Sequence, residues 1–257
     1  MPEILQAEEF HGFQASGNSR PARVSCRRAD GTRADVFVKF RGGVRNGSFG
    51  LCAELLCAEF ARNLGLATPT SFLVEIAPEF VGGAPREAQD LLSRSVGMNF
   101  ASEALRPGFS VVPPEPRIPI ALRQRAAEVF AFDVLIQNFD RKSDNPNLLW
   151  NRTNLYLIDH ESALHPTYIS EAPPTLASLD LDDFYTHVFY SSLSPSDCSL
   201  SRLSTALGSL TAGTLDGWFD AVPESWRDAA LSRVRRRFEW VIEHREEVCT
   251  LIQERIA

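Results

Sequence analysis

Apolar and polar residues alternate early in the chain. Over 34–40, Val36, Val38 and Phe40 fall on one side and Phe37 and Lys39 on the other, which predicts a half-buried strand. A similar run covers 22–28, and Asp30-Gly31 between the two is a hairpin signal. The period then changes. Residues 49–64 read as a helix, stopped by Gly65. Residues 70–76 and 91–98 read as further strands. Prolines crowd 107–119, including Pro113, Pro114 and Pro116, and predict an irregular linker. Beyond it, 121–138 becomes apolar on nearly every side, as a buried helix does. Short strands are expected at 148–150 and 154–158, around Asn151-Arg152. A long amphipathic helical pattern fills 225–256, and its charged face (Arg233, Arg235 to Arg237, Arg245 to Glu247) reads as solvated. The succession predicts an α+β architecture of two lobes, a small β-rich lobe over 1–98 and a mostly helical lobe over 99–257.

Composition narrows the picture. The chain has 257 residues, 44% hydrophobic and 23% charged, enough to bury a core and too apolar for intrinsic disorder. A net charge of -7 argues against broad electrostatic binding to nucleic acid. The longest apolar stretch, 129–136, is interrupted by Asp133 and falls far short of the roughly 20 residues of a membrane span. The start, Met-Pro-Glu-Ile, lacks the basic and apolar run of a secretory signal. Cys26, Cys52, Cys57, Cys198 and Cys249 show neither CxxC nor zinc spacing. Reduced thiols in a cytoplasmic protein, with no membrane and no nucleic-acid partner, are the expectation.

Of the 26 basic residues only Lys39 and Lys142 are lysines. Arginine replaces lysine freely on surfaces but not at a tight point-charge site, so each lysine merits attention. Lys39 sits on a predicted strand. Two further elements carry polar chemistry: the run from Asn138 to Asn147 directly after the buried helix, and Asp159-His160-Glu161 after a short strand. Phosphoryl transfer from ATP needs one cation on the α- and β-phosphates and one carboxylate to orient the acceptor hydroxyl. It also needs a carboxylate and an amide oxygen for Mg²⁺. Asp140 and Asn145, five apart, have the spacing to serve two sides of such a site. A strand hairpin would bring Asp159 beneath them, and Lys39 would face them from the other lobe.

The run Asn138-x-Asp140-x-x-x-x-Asn145-x-x-Leu148-Leu149 resembles the catalytic loop of the HipA-like kinases, distant relatives of the phosphatidylinositol 3/4-kinase and protein-kinase folds. Val38-Lys39-Phe40 is similar to that family's ATP-lysine strand. Leu157-Ile158-Asp159 occupies the place of its metal-binding aspartate. Glu54-Leu55-Leu56 through Leu64-Gly65-Leu66 and Pro69 resembles its helix-to-strand step. The similarity runs over about 12–165. It implies a two-lobed protein-kinase-like fold with a catalytic loop at 138–149. It also implies ATP and Mg²⁺ as cofactors and a protein Ser/Thr acceptor, with autophosphorylation. A small-molecule or lipid kinase and a pseudokinase scaffold are the alternatives.

On this resemblance Asp140 is the catalytic residue with Lys39, and Glu54 is the partner of Lys39. Asn145 and Asp159 are metal ligands, with Asn147 competing because it directly precedes Leu148-Leu149. Ser16, Gly17, Asn18 and Ser19 form the phosphate-covering turn, and Met98 and Phe100 the hinge beside adenine. The chain departs from protein kinases in two places. Arg141-Lys142 follows the aspartate, and Asp159-His160-Glu161 replaces Asp-Phe-Gly.

Overall fold

The computed structural model describes residues 2–14, 19–114, 116–151, 153–165, 169, 171–179, 181–194 and 199–256. Strands β1 (Glu3–Phe13), β2 (Ala22–Arg27), β3 (Arg33–Lys39), β4 (Ser71–Ile76) and β5 (Gly97–Glu103) close a barrel in the order β1-β2-β3-β5-β4. Every pairing is antiparallel except β1 with β4, which closes the barrel in parallel. Leu5, Val24, Val36, Val38, Val74 and Ala101 fill its interior. Two helices, α2 (Pro78–Gly83) and α3 (Arg86–Ser93), sit between β4 and β5, and their Phe80, Ala88 and Leu92 join the same core.

The hairpin and the alternation of β3 follow the sequence pattern. Strand β1 does not announce itself there, because it carries register shifts between Ala7 and Glu9 and between Phe10 and Gly12. Each irregularity resets which face the next residue occupies, so no single alternation spans the strand. The strand expected at 91–98 is instead the end of α3 and the start of β5. Ala88, Leu91 and Leu92 have helical spacing, and Gly97 (φ 100°) turns the chain into β5. β5 also runs through the 98/99 division expected from sequence, so the barrel continues to Glu103.

A second core holds α1 (Gly47–Asn63) and α4 (Ile120–Leu135) with the carboxy-terminal helices α5 (Ser201–Gly208), α6 (Ala212–Asp220), α7 (Leu231–Glu243) and α8 (Arg245–Ile256). A small sheet of β6 (Ser110–Val111), β7 (Leu148–Trp150) and β8 (Leu155–Leu157) borders it. From Ala126 onward α4 is buried on all sides, and its two internal acids are paired. Glu128 meets Arg202 of α5 and, at 3.1 Å, Arg125, while Asp133 meets Arg141. The single helix expected over 225–256 is broken. A short 3-10 turn, Glu224–Trp226, precedes α7, and His244 separates α7 from α8. Among the described residues no helix is long and apolar enough to cross a membrane.

α1 lies between the barrel strands β3 and β4 in sequence yet packs in the helical core. Phe60 lies 5.9 Å from Phe132 of α4, 5.9 Å from Trp218 of α6 and 4.7 Å from Phe238 of α7, ring centre to ring centre. We expect Phe60→Ala to destabilise the protein by about 3–5 kcal/mol in urea denaturation, since it opens a cavity where three helices meet α1. A loss below about 1 kcal/mol would mean that α1 is not anchored there.

Candidate active site

A cavity of about 530 Å³ opens between the barrel and the helical core. That size suits a small organic ligand. Lys39 ends β3 opposite Phe100 of β5, and both line the cavity. Glu54 projects from the middle of α1 and is buried. Asp159 and Glu161 follow β8. The Lys39 ammonium donates to Glu54 Oε1, donates to Asp159 Oδ1 at 2.6 Å, and lies 3.7 Å from Glu161 Oε2.

Electrostatics follow from that geometry. Burial alone would lower the Lys39 pKa, but Glu54, Asp159 and Glu161 outweigh it and hold it above the ordinary lysine value. Burial would raise Glu54, but Lys39 and His160 hold its carboxyl well below the usual range. His160 Nδ1 lies 3.7 Å from Glu54 Oε2. Glu161 is pushed upward, mainly by burial, although Lys39 and the Arg45 backbone N–H (2.8 Å) oppose this. Gly50 is required beside it: a Cβ there would lie 2.5 Å from Val44 Cγ1 and 3.0 Å from Glu161 Cγ. α1 therefore approaches the Asp159 segment closely only because residue 50 lacks a side chain.

The loop after α4 presents Asp140. The Asn138 side chain accepts from the Asp140 N–H at 3.3 Å, a local turn that starts the loop. Asp140 Oδ2 accepts from Asn145 Nδ2 at 3.1 Å and from Asn147 Nδ2 at 3.3 Å. Both amides spend their N–H groups on Asp140, which leaves their oxygens to face other groups. Burial and the nearby Asp159 raise the Asp140 pKa. Asn147 (φ 48°) and Asp159 (φ 61°) both have left-handed backbone, which short polar side chains tolerate best and which clusters at functional sites.

Lys39, Glu54, Asp140, Asn145, Asn147, Asp159, Ser19 and Phe100 thus line one cavity. Ser16, Gly17 and Asn18 lie outside the described residues. Met98 does not line the cavity; its carbonyl accepts from Trp226 Nε1 at 3.1 Å. Ser102, Glu103 and Leu105, at the end of β5 and just beyond, line it instead. This differs from the hinge expected at Met98 because β5 continues past Phe100. Sequence reasoning also overlooked Glu161, whose signal was its place two residues after Asp159. It overlooked Arg141 as well, which looks like an ordinary loop arginine in sequence yet is completely buried.

A family model described as HipA-like kinase matches residues 14–245. The chain belongs to the HipA-like kinase family, a family of phosphotransferases. The crystal structure of the Helicobacter pylori proinflammatory kinase CtkA is similar at a TM-score of 0.55, with 12% sequence identity over 98% of this chain and 96% of that one. At that identity the likeness is one of fold. No curated protein matches the chain significantly.

The chain has two lysines, so ¹³C-dimethylation gives two side-chain NMR signals that can be assigned with Lys142→Arg. We expect Lys39 to stay protonated through the ordinary lysine pKa of about 10.4. Because its folded pKa is raised, the stabilisation it contributes is complete below that ordinary value and is lost as pH rises through the folded one. A Lys39 signal that titrates normally would contradict the three-carboxylate environment.

Proposed function

We propose that the cavity binds ATP with Mg²⁺ and transfers the γ-phosphoryl group to a protein Ser/Thr hydroxyl, including one on the enzyme itself. The observation that carries this reading is the convergence of Lys39, Glu54, Asp140, Asn145, Asn147 and Asp159 on one cavity from four separate segments. A two-lobed arrangement is part of the reading, with the barrel as the nucleotide-phosphate side and the division after β5.

In this reading Lys39, oriented by Glu54, holds the α- and β-phosphates. Its placement supports that role, because a lone ammonium on a strand end points into the cavity beside Asp159. Asp140 orients the acceptor hydroxyl and accepts its proton. Burial makes it a better base than a solvated aspartate, and the Asn145 and Asn147 amides keep one of its oxygens in place. Phe100, Leu149 and Leu157 give the cavity apolar walls for a planar base.

The residues present fit a magnesium ion. Asp140, Asp159, Glu54 and Glu161 carry more negative charge than Lys39 balances, so a divalent cation would be attracted there. Among the described residues no three His, Cys, Asp or Glu side chains form a ready metal cluster. Mg²⁺ typically takes only one or two carboxylates and draws its other ligands from phosphate and water. Asp159 would hold it with the side-chain oxygen of Asn145 or Asn147. The bound ion would supply charge neutralisation on the phosphates.

Intact-mass spectrometry after incubation with ATP and Mg²⁺ tests the reading. We expect wild type to gain whole phosphoryl groups, and Asp140→Ala and Asp159→Ala to gain them about 10²–10⁴-fold more slowly. No mass gain together with magnesium-dependent ATP binding would point to a small-molecule or lipid acceptor. Neither mass gain nor ATP binding would overturn the reading in favour of a scaffold.

A further inference from the structure

Behind the loop lies a polar cluster that the phosphotransfer scheme does not use. Asp133, on α4, is completely buried. Its Oδ1 accepts from Asn138 Nδ2 at 3.0 Å. Its Oδ2 accepts from Arg141 Nε at 2.6 Å and from His187 Nε2 at 2.9 Å. The Phe189 N–H donates to His187 Nδ1 at 3.2 Å, so that nitrogen carries no proton and the Nε2–H faces Asp133. All three side chains are buried.

Arg141 extends the cluster to the cavity floor. Its Nη1 donates to the Asn147 carbonyl and, at 3.2 Å, to the Ile158 carbonyl. The Val188 N–H donates to the carbonyl of Arg141 itself at 3.1 Å. One guanidinium therefore joins α4, the loop after it and the segment after β8. The two carbonyls it grips belong to the two strained places in the site. Asn147 is left-handed, and Ile158 directly precedes the left-handed Asp159. Such backbone persists only where its surroundings hold it.

We propose that Arg141, braced by Asp133 and His187, is a positioning residue that sets the backbone presenting the Asn147 amide and the Asp159 carboxylate to magnesium. A buried ion pair that merely fills core is often replaceable by apolar residues. This one donates through Nε to Asp133 and through Nη1 to carbonyls on two different segments, a fixed fork that the single nitrogen of a lysine does not span. The proposal rests on the reading of Asp159 as a metal ligand.

The test is calorimetric ADP binding to the full chain, first in EDTA and then across a magnesium titration, for wild type, Arg141→Lys and Asp133→Asn. In the variants we expect metal-free ADP binding within about twofold of wild type and the magnesium half-saturation raised about tenfold or more, the usual consequence of disturbing groups behind a metal ligand. Amide exchange of peptides over 146–160 should also rise in the ligand-free variants. An unchanged magnesium half-saturation in a folded variant overturns the proposal, as does an equal loss of metal-free and metal-dependent binding. If wild type shows no magnesium dependence, the reading of Asp159 fails and takes the proposal with it. Should both variants lose their folded circular-dichroism signal, His187→Phe carries the test. It removes one donor to Asp133 and the acceptor of the Phe189 N–H while leaving an aromatic ring in place, and a wild-type magnesium half-saturation in that variant overturns the proposal.

Discussion

The contact between Lys39 and Glu54 joins two hydrophobic cores. Lys39 belongs to a strand of the barrel, and Glu54 to a helix packed among α4 and the carboxy-terminal helices. Asp159 and Glu161 reach the same ammonium from the helical side. Burying Lys39, Glu54 and Glu161 beside the half-buried Asp159 is costly, and such groupings add little net stability. They do specify an arrangement, because any relative slide of the two cores would strand a buried charge. The barrel, α1 and the Asp159 segment all meet at that one ammonium.

The carboxy-terminal third makes the contact durable. Trp226 is fully buried, its indole N–H donates to the Met98 carbonyl at 3.1 Å, and its own carbonyl accepts from Cys52 Sγ on α1 at 3.4 Å. With Phe60 held between Trp218 and Phe238, the helix that carries Glu54 is gripped both at Cys52, two residues before Glu54, and in its last turn. α1 thus cannot tilt away from Lys39 without opening the core around it. In this chain the orientation of Glu54 is a property of the packed core.

The polar chemistry of the site was more legible in the sequence than its scaffold. Lys39, Asp140, Asn145 and Asp159 could be found because each is short-range chemistry with a spacing, and all four line the cavity. The helices α1 and α4 were legible because burial on one or all sides leaves a strong apolar pattern. β1 was hidden by its register shifts, and the α3-to-β5 step by an apolar run that suits either state. Closure of the barrel by a parallel β1–β4 pair is a long-range choice that no local pattern encodes. Arg141 and Trp226 were illegible for the same reason: their importance lies in partners 17 and 128 residues away, Ile158 and Met98.

The most direct measurement is a crystal structure of the full chain with Mg²⁺ and a non-hydrolysable ATP analogue. The account predicts the analogue in the cavity between barrel and helices, with Lys39 Nζ on its α- or β-phosphate. The metal should lie on Asp159 and an asparagine of the 145–147 pair, and Asp140 should face the γ-phosphate. A nucleotide bound elsewhere, or a triphosphate in the cavity that leaves Asp140 and Asp159 untouched, would contradict it.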